Sequence, residues 1–407
     1  MMEKRNIPFS PPDITEAEII EVCEALRSGW ITTGPRTKEL EKRIAAYCGT
    51  EKAVCLNSAT ATLELNLRVL GIGEGDEVVV PAYTYTATAS PVAHVGAKLV
   101  MVDCKKGAPV VDTEKLAEAI TEKTKAIILV DIAGVIEDYK SAFRIAEEKK
   151  SLFTPSNDIQ KALGRIAVLA DCAHSLGAVK DGKKAGNIAD FSSFSFHAVK
   201  NLTTAEGGAA TWRTIDGIDN DELYKQYQLF SLHGQSKDAL AKSTLGAWEY
   251  DVVGAWYKCN MTDIAAAMGL SQLNRYEDIL AKRHRIIEKY NACCDEAGVR
   301  YINHSSENHR SSGHLYLANI PGISMDERNA IIEEMAEMGI ACNVHYKPLP
   351  MLTAYKNMGF DIKDYPCAYD YFTGEISLPL HNSLSDEDIE YITCFFKDIV
   401  RKYTKED

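Results

Sequence analysis

The sequence predicts an α/β protein: a large domain with a mainly parallel, seven-stranded sheet, followed by a smaller C-terminal α+β domain. Three observations carry this. Short apolar runs recur, each followed by a polar turn and a helical stretch. Several of those runs are continuously apolar, as befits strands covered on both faces. The alternation then stops near Asp251 and gives way to a long helical stretch and a mixed tail. The predicted division is residues 1–255, with the N-terminal segment, and 256–407.

In chain order, a helix is expected after Thr15, because Thr15 and Glu18 form a T-x-x-E capping box and Gly29 supplies a stop. The strand candidates are AVCLN from Ala53, EVVVPA from Glu77, KLVMVD from Lys98, KAIILVD from Lys125, IAVLADCA from Ile166, FSSFSF from Phe191 and GGAATW from Gly207. The segment of residues 147–164 is polar and reads as a surface excursion. From Thr262 a strongly helical run predicts two helices or one kinked helix. HLYLANI, ACNVHY and EISLPL are the strand candidates of the second domain, with a helix led by a Ser324/Glu327 capping box.

Composition narrows the partners. The 407 residues carry a net charge of −13, against the basic surface that nucleic-acid or anionic-membrane binding requires. No apolar run approaches the ~20 residues of a membrane span, and the N-terminus lacks a signal-peptide pattern. Eleven cysteines without a CxxC pair favour reduced thiols in a cytoplasmic protein over disulfides or zinc.

Four stretches could carry chemistry. In NSATATLELNL, from Asn57, a strand ends and a helix begins near Ala61; its N–H groups and the Thr60 hydroxyl make a candidate anion site. Simple capping by Ser58 or Thr60 is the plainer reading of the same residues. GIGEG precedes a strand rather than following one, so it is a turn and not a dinucleotide fingerprint. Just past that strand lie Tyr83 and Tyr85, either core rings or a stacking platform for a flat ligand. Asp171 ends an almost wholly apolar strand, where burial raises a carboxyl pKa unless a cation faces it. His174 follows three residues later, but no third ligand accompanies the pair, so no metal site is expected. In SFSFHAVKNLTTAEGG, Ser195 alternates with Phe194 and Phe196, and Lys200 falls in the loop beyond.

Each signal has an ordinary explanation alone. Together they match pyridoxal 5′-phosphate, which needs a lysine for a Schiff base, an acid against its pyridine nitrogen, a phosphate cup and a flat neighbour. Lys200, Asp171, the Ala59-Thr60 turn with Ser195, and Tyr85 supply these.

The motifs SGWITTGP, NSATATLEL, GDEVVVPAYTYTATA, DCAHSLGA, SFSFHAVKNLTTAEGG, YKCNMTDIAAAMGLSQL, VHYKPLP and EISLPLHNSLSDEDI occur in that order. With them the chain resembles the DegT/DnrJ/EryC1/StrS family of sugar aminotransferases, from about Ile7 to Val400. The resemblance implies the pyridoxal-phosphate-dependent transferase fold type I. It implies Lys200 as the catalytic lysine and Asp171 as partner of the pyridine nitrogen. It also implies His174 beside the phenolic oxygen, Tyr85 as the stacking ring, and Ser195, Ala59 and Thr60 at the phosphate. Lys258 matches a position that reaches the neighbouring subunit's phosphate, so a homodimer with shared sites is implied. L-glutamate as donor and a nucleotide-linked keto sugar as acceptor follow from the resemblance, with His345, Tyr346 and Lys347 as candidate substrate contacts.

The chain departs from the family pattern at Ala133, Asn260, Pro350 and the longer 147–164 loop, all expected on the substrate side. Two other readings stand beside the first: a same-fold aminotransferase acting on a cyclitol or other cyclic ketone, and a non-catalytic pyridoxal-phosphate-binding paralogue. A hydrolase using Asp171 and His174 lacks a ligand set.

Overall fold

The computed structural model of the chain describes residues 4–237 and 249–404. Strands β1 (Ala53–Leu56), β2 (Glu77–Pro81), β3 (Lys98–Val102), β4 (Thr124–Val130) and β5 (Ala167–Asp171) come first. A short hairpin, β6 (Val179–Lys180) and β7 (Lys183–Lys184), precedes β8 (Phe191–Ser195) and β9 (Gly208–Trp212). The seven segments expected as strands form one seven-stranded sheet in the order β1-β9-β8-β5-β4-β2-β3. From β3 to β8 every pairing is parallel, and β9 runs antiparallel to both β8 and β1. β1 therefore points the same way as β8. The carboxyl ends of β1, β2, β5 and β8 all reach one edge of the sheet, where ligands of open α/β sheets bind.

Helices cover both faces. Helix α1 (Glu16–Arg27) starts at the Thr15/Glu18 capping box, as the sequence indicates. Helix α2 (Pro35–Cys48) is held at its start by Asp263, whose Oδ1 accepts the N–H groups of Gly34 and Thr37 at 2.8 and 2.9 Å. Helix α3 (Ala59–Val69) follows β1, and helix α4 (Thr86–His94) follows β2. The long helical run divides in two, Asp263–Asn274 and Tyr276–Ala297. At the break, Arg275 turns its guanidinium to Asp13 and Glu18.

A second sheet orders β10 (Arg300–Tyr301), β12 (Tyr316–Asn319) and β13 (Glu375–Leu378), while β11 (His309–Arg310) joins the β6–β7 hairpin. The helices Met325–Glu337 and Asp386–Tyr403 pack with it around Tyr290, Tyr316, Ile331, Ile376 and Phe396. Ile7 joins this cluster by a parallel bridge to Ile340. Among the described residues, no helix is long and apolar enough to cross a membrane.

Three expectations need correction. ACNVHY is not a strand: Asn343 makes one isolated bridge to Ser377, and the chain then leaves the sheet. The helix after Asn57 begins at Ala59 rather than near Ala61, because Ser58 is its N-cap. The 147–164 segment is more than a surface excursion, and it does not lie on the substrate side: it packs at the carboxyl end of α3, away from the helix start that lines the cavity. Ile159 and Gln160 are buried, and the amides of Asn157 and Gln160 donate to the carbonyls of Val69 and Leu70 at 3.1 and 2.6 Å. Those carbonyls end α3 and need donors; polar composition here serves a helix terminus, not solvent.

Candidate active site

The start of α3 is an open set of donors. Ser58 Oγ accepts the Ala61 N–H at 3.1 Å, so the first-turn N–H groups of Ala59 and Thr60 remain without intrahelical partners. β9 passes directly beneath. A Cβ on Gly208 would lie 2.5 Å from Ala59 N and Ser58 C, so the second glycine of the Gly-Gly pair is required by close approach.

Asp171 closes β5 on the same edge and is 4% exposed. Thr88, on α4, donates its hydroxyl to Oδ2 at 2.7 Å, and the Ala173 N–H donates to Oδ1 at 3.1 Å. Burial pushes the Asp171 carboxyl up, while these bonds and the more distant Lys200 charge act against it. No described ion pair involves Asp171.

β8 ends at Ser195, with Phe194 and Phe196 fully buried on either side as core rings. The chain then turns so that the half-buried Lys200 reaches the cavity. Burial pushes its amine down to about 8, with Asp171 pulling the other way. His314 Nε2 lies 3.5 Å from Lys200 Nζ, and His314 Nδ1 lies 3.0 Å from Asn201 Oδ1.

His174 is buried between two anchors. The Ala133 N–H donates to Nδ1 at 3.2 Å, so the ring hydrogen sits on Nε2 and faces the Tyr346 hydroxyl at 3.0 Å. Burial and the Lys200 charge hold His174 well below its ordinary value, so it is neutral. Tyr83 is a buried scaffold: its hydroxyl donates to His345 O at 2.7 Å and accepts the Tyr346 N–H at 2.8 Å. Tyr85 is 57% exposed at the mouth, its ring centroid 5.6 Å from that of Tyr346.

One cavity of about 330 Å³ opens at this edge of the sheet. Ala59, Thr60, Tyr85, Asp171, His174, Ser195, Lys200, His345 and Tyr346 all face it. Lys258 and Lys347 do not. Lys258 is exposed and hydrogen-bonds to Asn260; Lys347 is exposed beyond Tyr346. Thr88, Asn201 and His314 do not line the cavity but support it from behind, Thr88 on Asp171, and His314 with Asn201 on Lys200; the sequence reading missed them. Thr88 falls in the quoted run TYTATA, three residues past Tyr85. Nothing in the sequence pairs Asn201 with His314.

The residues fit pyridoxal 5′-phosphate on the chemistry of their donors. A buried carboxylate lacks a cation, a poorly basic amine stands near it, and a tight backbone cradle offers N–H groups to an anion. A phosphorylated pyridine aldehyde satisfies all of them together. The class is therefore that of the pyridoxal-phosphate-dependent transferases.

Comparison with known proteins agrees. The model of the DegT/DnrJ/EryC1/StrS aminotransferase family matches residues 12–396, and the chain belongs to that family. It is 35% identical over 409 residues to the spore coat polysaccharide biosynthesis protein SpsC of Bacillus subtilis, with 98% of this chain and 99% of that protein covered. It is 32% identical over 413 residues to the UDP-4-amino-4-deoxy-L-arabinose–oxoglutarate aminotransferase of Shewanella sediminis, at 98% and 99% coverage. The solved structure described as "Putative sugar aminotransferase Spr1654 from Streptococcus pneumoniae, PMP-form" superposes with a TM-score of 0.96 at 57% identity, over 98% of this chain and 100% of that one. Its PLP-form gives a TM-score of 0.95 at 55% identity, with the same coverage. The chain is thus a pyridoxal-phosphate-dependent enzyme of a sugar aminotransferase family.

Proposed function

We propose that this enzyme transfers the amino group of L-glutamate to a keto sugar carried on a nucleoside diphosphate, working as a homodimer. The observation that carries the reading is the Lys200 amine, lowered to about 8 and held in the same cavity as the buried Asp171. A lysine of that basicity both attacks a carbonyl and carries a proton near neutral pH. The relative that acts on a UDP-linked aminoarabinose supports the nucleotide-linked sugar, and its oxoglutarate is the keto form of L-glutamate.

The cofactor, when bound, supplies the electron sink for the carbanion formed as a proton leaves the substrate carbon. Lys200 would hold the cofactor covalently and, as a free amine, would carry the proton to and from the substrate carbon. Asp171 keeps the pyridine nitrogen protonated. The Ala59 and Thr60 N–H groups, with Ser195, would bind the phosphate, and Tyr85 would be the stacking ring. His174, whose Nε2–H meets the Tyr346 hydroxyl here, would lie beside the cofactor's phenolic oxygen. His345 and Tyr346 would contact substrate in the cavity, Lys347 only a part of it that extends beyond Tyr346, and Lys258 would reach the phosphate bound in the partner subunit.

The test is spectroscopic. Cofactor-loaded protein has the yellow band of a lysine-linked pyridoxal, and L-glutamate bleaches it. One member of a panel of nucleotide-linked keto sugars then restores it. A loaded protein whose band ignores L-glutamate defeats the reading of the donor; one restored by inosose and by no nucleotide sugar defeats the reading of the acceptor.

A further inference from the structure

His345 faces the cavity at the end of a short polar chain. Ser377 Oγ lies 2.8 Å from His345 Nδ1 and 2.6 Å from Glu375 Oε1. Glu375 Oε2 accepts the backbone N–H of His345 at 2.8 Å. A backbone N–H only donates, so Oε2 is an acceptor. A proton on this carboxyl therefore sits on Oε1 and points at Ser377. The serine hydroxyl must then donate to His345 Nδ1, which leaves the imidazole hydrogen on Nε2. An ionised Glu375 reverses every bond: Nδ1–H donates to Ser377, Ser377 donates to the carboxylate, and Nε2 is bare.

We propose that Glu375 and Ser377 are positioning residues that fix the tautomer of His345, so that Nε2–H faces the cavity as a donor to an acceptor oxygen of the substrate. The inference rests on the reading of His345 as a substrate contact.

The surroundings favour the protonated carboxyl. Glu375 is fully buried. Arg328 is the nearby cation, but its guanidinium donates at 3.0 Å to the main-chain carbonyls of Phe372 and Glu375. Tyr83, Tyr346 and Tyr371 and the Cys342 thiol also face the carboxyl, and burial keeps all four protonated. Burial pushes Glu375 up to about 8, against its bonds from Ser377 and His345 and the Arg328 charge. His345 itself is held down to about 4 by burial and Lys200, so it stays neutral across this range. Near neutral pH the chain runs from carboxyl to imidazole. Above about pH 8 it inverts, and His345 presents a lone pair that repels a substrate carbonyl or carboxylate oxygen.

The tautomer is directly readable. In cofactor-loaded protein carrying ¹⁵N-histidine, with His345→Gln to assign the signals, His345 Nε2 is the protonated nitrogen at neutral pH. The two nitrogens exchange roles with a midpoint near 8. Glu375→Gln abolishes the exchange, because its amide donates to Ser377 at every pH while its oxygen still accepts the His345 N–H. Ser377→Ala abolishes it by cutting the chain, and serves where the first variant fails to fold. A hydrogen on Nδ1 at neutral pH, or an exchange that persists in either folded variant, overturns the proposal. L-glutamate and UDP-4-amino-4-deoxy-L-arabinose are then each tried as amino donor. For at least one, the half-saturating concentration rises about tenfold above the midpoint in wild type, the worth of one hydrogen bond, and stays flat in Glu375→Gln. Profiles that stay flat for both donors in wild type, or that rise equally in Glu375→Gln, overturn the substrate contact. The nitrogen signals need no turnover, so loss of the tautomer leaves the aminotransferase reading standing. An unreactive enzyme with the expected tautomer defeats that reading alone.

Discussion

The Thr88 hydroxyl donates to Oδ2 of Asp171 across 2.7 Å, joining the first turn of α4 to the end of β5. The bond orients a carboxylate that burial has made costly to ionise. In the cofactor-free protein this carboxyl holds its proton to a higher pH than it does unfolded. Its contribution to stability is therefore full at acid pH and lost as pH rises through the raised value. On the proposed pairing, a bound pyridinium would supply the missing cation. The gain in melting temperature on adding pyridoxal phosphate should grow over that same rise, as melting curves with and without cofactor will show. A gain independent of pH contradicts the pairing.

Asp171→Asn keeps hydrogen-bonding capacity and removes the charge. The rate of bleaching by L-glutamate should fall about 10- to 100-fold, the worth of a charge-assisted hydrogen bond. Thr88→Val should cost less, about tenfold, through the lost donor alone. Stopped-flow absorbance on the loaded variants measures both.

Lys200 reacts only as the free amine. Its value of about 8 means that the neutral fraction climbs steeply up to that pH and then levels off. Capture of added pyridoxal phosphate by the cofactor-free protein should accelerate about tenfold per pH unit below this point and plateau above it. A plateau displaced to the ordinary lysine range shows that burial does not depress the amine.

Gly208→Ala drives a methyl group into Ala59 N, Ser58 C and, at 2.7 Å, the Phe194 carbonyl. All three are backbone atoms, so relief requires α3 to move. A loss of about 1–3 kcal/mol is expected from such overpacking, together with weaker cofactor binding. Melting and fluorescence titration report the two separately, and cofactor affinity equal to wild type shows that the helix start is not the anion cradle.

Much of this site is legible in the sequence because its parts stand at strand ends. A continuous apolar run locates β5, and a strand of phenylalanine and serine locates β8, so Asp171 and Lys200 are placed by counting. Contacts made through space leave no such trace. Asn201 and His314 are 113 residues apart, and no periodicity links them. ACNVHY has a strand-like composition, yet tertiary bonds from Tyr83 and Glu375 bend its end into the cavity. The amides of Asn157 and Gln160 look solvent-facing until the carbonyls they cap are known.

Lys258 stands outside the cavity of its own chain, next to the exposed Tyr257 and bridged to Leu232. If it completes the partner's phosphate site, mixing inactive Lys200→Ala and Lys258→Ala subunits restores one site in each mixed dimer. Random pairing then yields about a quarter of wild-type activity. Mixed dimers that form without activity rule out the crossing.

His314 offers a test on Lys200 from behind. Asn201 Nδ2 donates to Ser312 O at 2.8 Å, so its oxygen is the atom that meets His314 Nδ1. That nitrogen carries the hydrogen, and Nε2 turns a lone pair to the lysine amine. The backbone leaves little freedom: His314 N donates to Ala133 O at 3.1 Å, and the buried Arg283 donates to the carbonyls of Gly313 and His314 at 3.0 and 3.2 Å. Burial, with the charges of Lys200 and Arg283 and the nearby His174 and His345, keeps the imidazole neutral. An imidazole that accepts one amine hydrogen aims the amine's own lone pair elsewhere, into the cavity. His314→Phe keeps a flat ring without the acceptor and should slow cofactor capture about tenfold at the plateau. Asn201→Asp places a carboxylate on Nδ1, which favours the imidazolium; that cation repels the ammonium of Lys200 and should move the capture profile to lower pH. Profiles that match wild type in both variants reduce His314 to a packing residue.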